Sequence, residues 1–277
     1  MSTTRFAPSP TGYLHLGHAY SAVLGRARGA RFLLRIEDLD QGRSRPDYVA
    51  AIYEDLEWLG IAPDEAPLIQ SERSSQYAAA LDRLRGEGMV YPCFCTRADI
   101  AAAASAPHGP TSAYPGTCRD LPDDPPRRAV SLHSWRLDST RAIARVGLPS
   151  WREDDGTHFR ASGPDLDDII LARKDAPAAY HLACVVDDAA SGVTLVVRGA
   201  DLRPSTPVQR LLQSLLDLPE PTYLHHHLVT HADGRRLAKR DRAPTLAVMR
   251  AEGVDGPALA NDLRDGILPL GFGWANA

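Results

Sequence analysis

Lysine is almost missing from this chain. Only Lys174 and Lys239 are lysines, so arginine supplies nearly all of the 31 basic side chains. A single arginine therefore carries little information here, while each lysine stands out. Cysteine is scarce too, with four in 277 residues. That excludes a disulfide framework and fits a reducing cytoplasm, where clustered thiols more often hold metal. No run of about 18 apolar residues is available to span a membrane, and the N-terminus MSTTRFAPSP has no apolar signal core. A cytoplasmic protein with no membrane partner is expected. Bulk positive charge is also absent, since 35 acidic side chains leave a net charge of -4. This excludes a polycation that clings to any nucleic acid, so an RNA partner would need a local basic patch.

What remains is an ordinary globular composition, 44% apolar and 24% charged, able to bury a sizeable core. The first ninety residues alternate short apolar runs with helical periods. A strand ending at Phe6 is broken by Pro8-Ser9-Pro10-Thr11-Gly12, and residues 18–28 read as an Ala-rich helix. Residues 31–36 form a second strand. Val49, Ile52, Leu56 and Leu59 mark one helix face, with Ser44 as N-cap, Pro46 in the first turn and Gly60 as the stop. A helix over 74–87 ends at Gly88. This rhythm predicts a parallel α/β sheet.

The rhythm fails over 91–165, where an uncharged Ala/Pro/Gly/Ser stretch and a Pro/Asp/Arg run indicate an insertion. It resumes with expected strands at 169–172, 180–186 and 194–198, a helix at 207–216 and a strand near 223–229. A Gly/Arg/Lys-rich loop over 232–242 precedes two short helical stretches. The expected organisation is α/β: a split catalytic domain over 1–90 and 166–230, an insertion over 91–165, and a small helical tail over 231–277.

The strongest chemical signal is Phe6-Ala7-Pro8-Ser9-Pro10-Thr11-Gly12-Tyr13-Leu14-His15-Leu16-Gly17-His18, directly after the first strand. Gly17 lets the backbone approach a ligand, and the helix start offers N–H groups to phosphate. His15 and His18, three residues apart, can both donate to charge developing at an attacked α-phosphorus. Cys93, Cys95 and Cys118 fall inside the loop-rich insertion and read as a structural zinc site. His108 is the better fourth ligand on donor chemistry alone. Cys184, in an apolar run, reads as core, and His225-His226-His227 as structural, since neighbours on a strand point apart.

The run RFAPSPTGYLHLGH with RIEDLD resembles the catalytic domain of class I glutamyl- and glutaminyl-tRNA synthetases. Val185-Val186-Asp187-Asp188, the run Val197–Leu202 and the loop Arg235-Arg236-Leu237-Ala238-Lys239-Arg240 match in the same order. The loop departs from the family pattern at Ala238, where serine is usual, and at Arg240. The chain stops at Ala277 without the anticodon-binding region of the full-length enzymes, so it is most similar to the short glutamyl-Q tRNA(Asp) synthetase family.

That resemblance implies a Rossmann-type fold and activation of L-glutamate by Mg-ATP, and tRNA-independent activation is expected because the amino-acid and ATP contacts all fall in the α/β core. Transfer to the queuosine base in the anticodon stem-loop of tRNA(Asp) would follow; separately from the resemblance, a monomer is expected. It places His15, His18 and Lys239 as catalytic and, with Gly17, ATP-binding. Arg5, Phe6, Ala7, Pro8, Ser9, Glu37, Tyr180 and Arg198 would contact glutamate, and Tyr114 would be the fourth ligand of one structural zinc beside Cys93, Cys95 and Cys118. The charge balance agrees, because two carboxylates and an ammonium call for cations and an anion, and Arg5, Arg198 and Glu37 supply them. The rival readings are a truncated glutamyl-tRNA synthetase charging the tRNA(Glu) 3′ end, a small-molecule glutamyl ligase, and an inactive tRNA- or protein-binding paralogue.

Overall fold

The computed structural model describes residues 2–96, 98–100, 114–122, 124–174, 178–237 and 244–275. β1 (Thr3–Phe6) runs parallel to β2 (Arg31–Ile36), which pairs in parallel with the short β3 (Leu68–Ile69). β9 (Leu195–Gly199) and β10 (Thr222–His226) form a second parallel pair. The two sets meet edge to edge, where the Thr194 amide donates to the Thr3 carbonyl (3.0 Å) and the Thr3 amide to Thr194 Oγ1 (2.9 Å). From β1 the chain therefore winds one way to β2 and later the other way to β9. The carboxyl ends of β1 and β9 border the crevice where open α/β sheets bind ligands.

Helices α1 (Leu16–Arg28), α2 (Pro46–Trp58) and α3 (Ser74–Gly86) follow the expected order. Leu16, Ala19, Ala22 and Val23 form the buried stripe of α1, and Ile52 and Leu56 that of α2. Burying Leu16, Val23, Ile52 and Leu56 contributes about 1.5–3 kcal/mol each. The expected cap of α2 is corrected. Arg45 occupies the N-cap position without a side-chain bond, and Ser44 Oγ is buried with no partner among the described residues.

The insertion carries more order than its composition indicates. β4 (Val90–Cys93), β5 (Ser134–Leu137) and β8 (Ile170–Ala172) build an antiparallel sheet, with α4 (Pro125–Val130) and α5 (Ser139–Val146) beside it. β8 is thus a strand, as its apolar run indicates, but it pairs with the insertion, and a boundary at 166 cuts through that sheet. β6 (Ser150–Arg152) and β7 (His158–Arg160) form a hairpin.

The expected strand over 180–186 is instead a helix, α6 (Tyr180–Ala190). It is buried on most sides, so its continuous apolar run carries no helical period to read. α7 (Thr206–Leu215) follows, and Asp187 on α6 accepts from Gln70 Nε2 (2.8 Å), Arg73 Nε (2.7 Å) and Tyr77 Oη (2.8 Å), fastening α6 to α3. In the tail, α8 (Leu246–Ala251) and α9 (Gly256–Arg264) match the two helical stretches. Unforeseen is the antiparallel pairing of β11 (Val229–His231) with β12 (Phe272–Trp274). The Leu246 amide donates to the Leu14 carbonyl (2.9 Å), which brings the tail back to the glycine-histidine motif. No helix among the described residues is long and apolar enough to cross a membrane.

Candidate active site

The two motif histidines cap α1 in an unusual way. The Gly17 amide donates to His15 Nδ1, and the His15 amide donates to His18 Nδ1, both at 3.1 Å. Each Nδ1 is therefore an acceptor, and the hydrogen of each ring sits on Nε2. Two imidazole donors are thereby fixed side by side, their rings 3.9 Å apart, at the positive end of the helix dipole. Gly17 leaves room for this fold-back, because a Cβ there would stand 3.1 Å from the His15 ring and press on it.

Beside this cap, a cavity of about 430 Å³ opens at the ends of β1 and β9. Its walls include Arg5, Phe6, Ala7, Pro8, Ser9, His18, Glu37, Tyr180 and Arg198. All eight residues expected to meet glutamate thus line one cavity, although Tyr180 does so as the first residue of a helix and not from a strand. A second cavity of about 420 Å³ shares Ser9, Glu37 and Tyr180 and is bordered by Arg43, Arg136, Arg173 and His181. Burial pushes the His181 imidazole down to about 4, helped by Arg198, so it is neutral at physiological pH. A larger depression of about 650 Å³, between α3 and the β4–β5 sheet, contains none of the motif residues.

Charge behind the first cavity is organised by Asp188. It receives Arg5 Nε at 3.0 Å and an Arg35 nitrogen, while Arg35 reaches Glu37 at 3.0 Å. All four side chains are at most 10% exposed. Burial alone would raise Asp188, yet Arg5 and Arg35 hold its carboxyl well below the usual carboxylate range. For Glu37, burial wins over Arg35 and the pKa is raised. Burial lifts the Cys184 thiol to about 11, so Cys184 is inert core packing, as expected, though on a helix. The sequence motifs contain both Arg35 and Asp188, but sequence reasoning assigned neither a task.

Lys239 lies outside the described residues, as does His108. The three insertion cysteines do come together, their sulfurs within 4.8 Å of one another. Tyr114 Oη sits among them, 3.3 Å from Cys93 Sγ and 3.8 Å from Cys95 Sγ, and accepts from the Cys118 amide at 3.0 Å. Three soft thiols with one oxygen converging on a point is a donor set that suits tetrahedral zinc. The three histidines of β10 and its end are separated, as alternation requires. His225 faces Arg198 and Glu153, while His226 meets Ser21 Oγ at 2.7 Å.

A family model described as tRNA synthetases class I (E and Q), catalytic domain, matches residues 1–274. The chain is 47% identical over 269 residues to a glutamyl-Q tRNA(Asp) synthetase of Rhodobacter capsulatus, covering 91% of this chain and 95% of that one. With the corresponding protein of Nocardia farcinica it shares 49% over 253 residues, covering 90% and 79%. The chain belongs to the glutamyl-Q tRNA(Asp) synthetase family. Its likeness extends to a solved glutamate tRNA ligase of Elizabethkingia meningosepticum in complex with its amino acid, with a TM-score of 0.78 and 27% identity. That match covers 95% of this chain and 60% of the ligase, so the chain spans about three fifths of its length. The fold and family expected from the motifs are therefore borne out.

Proposed function

We propose that this class I synthetase relative is a ligase that activates L-glutamate with Mg-ATP and then glutamylates the queuosine base of tRNA(Asp). The observation that carries the reading is the first cavity, in which Arg5, Glu37, Tyr180 and Arg198 stand beside the two Nε2–H donors of the α1 cap. Arg5 and Arg198 receive the carboxylates, and Glu37 receives the ammonium. An oxygen of the α-carboxylate attacks the α-phosphorus, the bond to the bridging oxygen breaks, and pyrophosphate leaves with that electron pair. His15 and His18 donate to the charge gathering on the α-phosphoryl oxygens, and Lys239 would add a cation from its loop. The contribution is positioning and electrostatics, with no covalent intermediate on the protein.

The second cavity, sharing Tyr180 and Glu37 with the first, is the approach for the acceptor. A ring hydroxyl of queuosine attacks the activated carbonyl there and AMP leaves. Arg43 and Arg173 at its border suit flanking phosphates, the local basic patch that a net negative chain requires. The acceptor assignment follows the name carried by the relatives, and a cytoplasmic monomer fits it. Cys93, Cys95, Cys118 and Tyr114 would hold a zinc ion that ties the insertion together and takes part in neither step. ATP–pyrophosphate exchange without RNA tests the activation half. Glutamate-dependent exchange is expected, and exchange that strictly requires tRNA would overturn it.

A further inference from the structure

Arg198 is 4% exposed and lines the glutamate cavity, but three of its nitrogens are held from behind. Nη1 donates to Gln209 Oε1 and Nη2 to Thr206 Oγ1, both at 2.7 Å, and Nε donates to His225 Nε2 at 3.1 Å. Guanidinium nitrogens cannot accept, so His225 Nε2 must be the acceptor and Nδ1 must carry the hydrogen. That hydrogen is donated to Glu153 Oε1 at 2.7 Å. The tautomer is opposite to that of His15 and His18, and Arg198 and Glu153 fix it from the two sides.

Glu153 belongs to the β6–β7 hairpin, outside the parallel sheet. Its amide donates to the Thr157 carbonyl (2.9 Å), closing the hairpin, and the Asp154 amide donates to the Tyr223 carbonyl (2.7 Å), docking it alongside β10. The His225 side chain is fully buried and Glu153 is 8% exposed. Burial, aided by Arg198 and Arg203, holds His225 below its ordinary pKa against the pull of Glu153. The ring is thus a neutral hinge between an anion and a cation.

We infer that Glu153 and His225 are positioning residues that aim Arg198 at the substrate carboxylate, which makes the β6–β7 hairpin a working part of the glutamate pocket. The inference rests on the reading that Arg198 binds glutamate. Its test is steady-state pyrophosphate exchange by the full chain, with glutamate and ATP varied separately. Glu153→Ala and His225→Leu are each expected to raise the glutamate KM about tenfold or more, because a buried donor loses its partner. The ATP KM should stay within about twofold. Glu153→Gln, which keeps an acceptor oxygen, should restore most of the loss.

An unchanged glutamate KM in Glu153→Ala, with Arg198→Ala strongly impaired, overturns the relay and leaves the pocket reading intact. An unchanged glutamate KM in Arg198→Ala overturns the pocket reading itself. A parallel rise in both KM values for the soluble, folded Glu153→Gln variant shows a merely structural role and also overturns the relay.

Discussion

Replacing Asp188 by Asn removes the one anion shared by two buried guanidiniums and leaves the shape nearly unchanged. Asp188 receives Arg5 Nε at 3.0 Å and Arg5 Nη2 at 3.4 Å as well as Arg35 Nη1. An asparagine cannot neutralise either cation, and its NH2 group would face an N–H donor. Breaking a buried pair from one side costs about 3–5 kcal/mol. Glu37 still compensates Arg35, so the lower end, about 3 kcal/mol, is expected. For a chain of this size that lowers Tm by roughly 6–12 °C.

The pH dependence follows from the depressed carboxyl. Asp188 in the folded chain lies below its ordinary 3.8, so on acidification the unfolded chain takes up the proton first. The stabilisation is therefore complete above about pH 4–5 and is lost only as pH falls further, toward the folded value. Differential scanning fluorimetry of wild type and Asp188→Asn between roughly pH 5 and 8 should show a constant gap, closing only below about pH 4. The glutamate KM should rise as well, because Asp188 anchors Arg5 directly and Glu37 only through Arg35. A variant melting with the wild type, or a gap that closes between about pH 5 and 7, would refute the argument.

Lys239→Ala and His18→Ala should each slow pyrophosphate exchange at least ~100-fold, as when a single transition-state donor is lost; normal exchange in either contradicts the proposed phosphate contacts. Purified protein should contain near one zinc per chain, strongly reduced in Cys95→Ser, whereas metal-free protein of unchanged stability contradicts the structural site. If Tyr114→Phe keeps zinc while His108→Ala loses it, the fourth ligand is the histidine.

The chemistry of this chain is more legible in its sequence than its secondary structure. Motifs that hold a substrate are local and specific, so thirteen residues around His15 and His18 are enough to place the cavity. Arg5, Glu37 and Arg198 could be paired by charge before their strands were seen to converge. The run from Tyr180 to Val186 misleads because it is buried on most sides, and a buried helix and a buried strand share one pattern. β8 is correctly a strand, yet nothing local says which sheet it joins. Arg35 and Asp188 each fall inside a quoted motif but are invisible as a pair, because 153 residues separate them. The Glu153–His225 contact has the same cause, since pairing across 72 residues depends on how a hairpin docks.

The most direct test of the account is glutamylation of an isolated tRNA(Asp) anticodon stem-loop. With radiolabelled glutamate and ATP, the stem-loop carrying queuosine should accept label, and the same stem-loop carrying guanosine should not. An inert queuosine stem-loop, together with unmodified tRNA(Glu) labelled at its terminal ribose, would contradict the account and return the chain to the ordinary glutamyl-tRNA synthetase reaction.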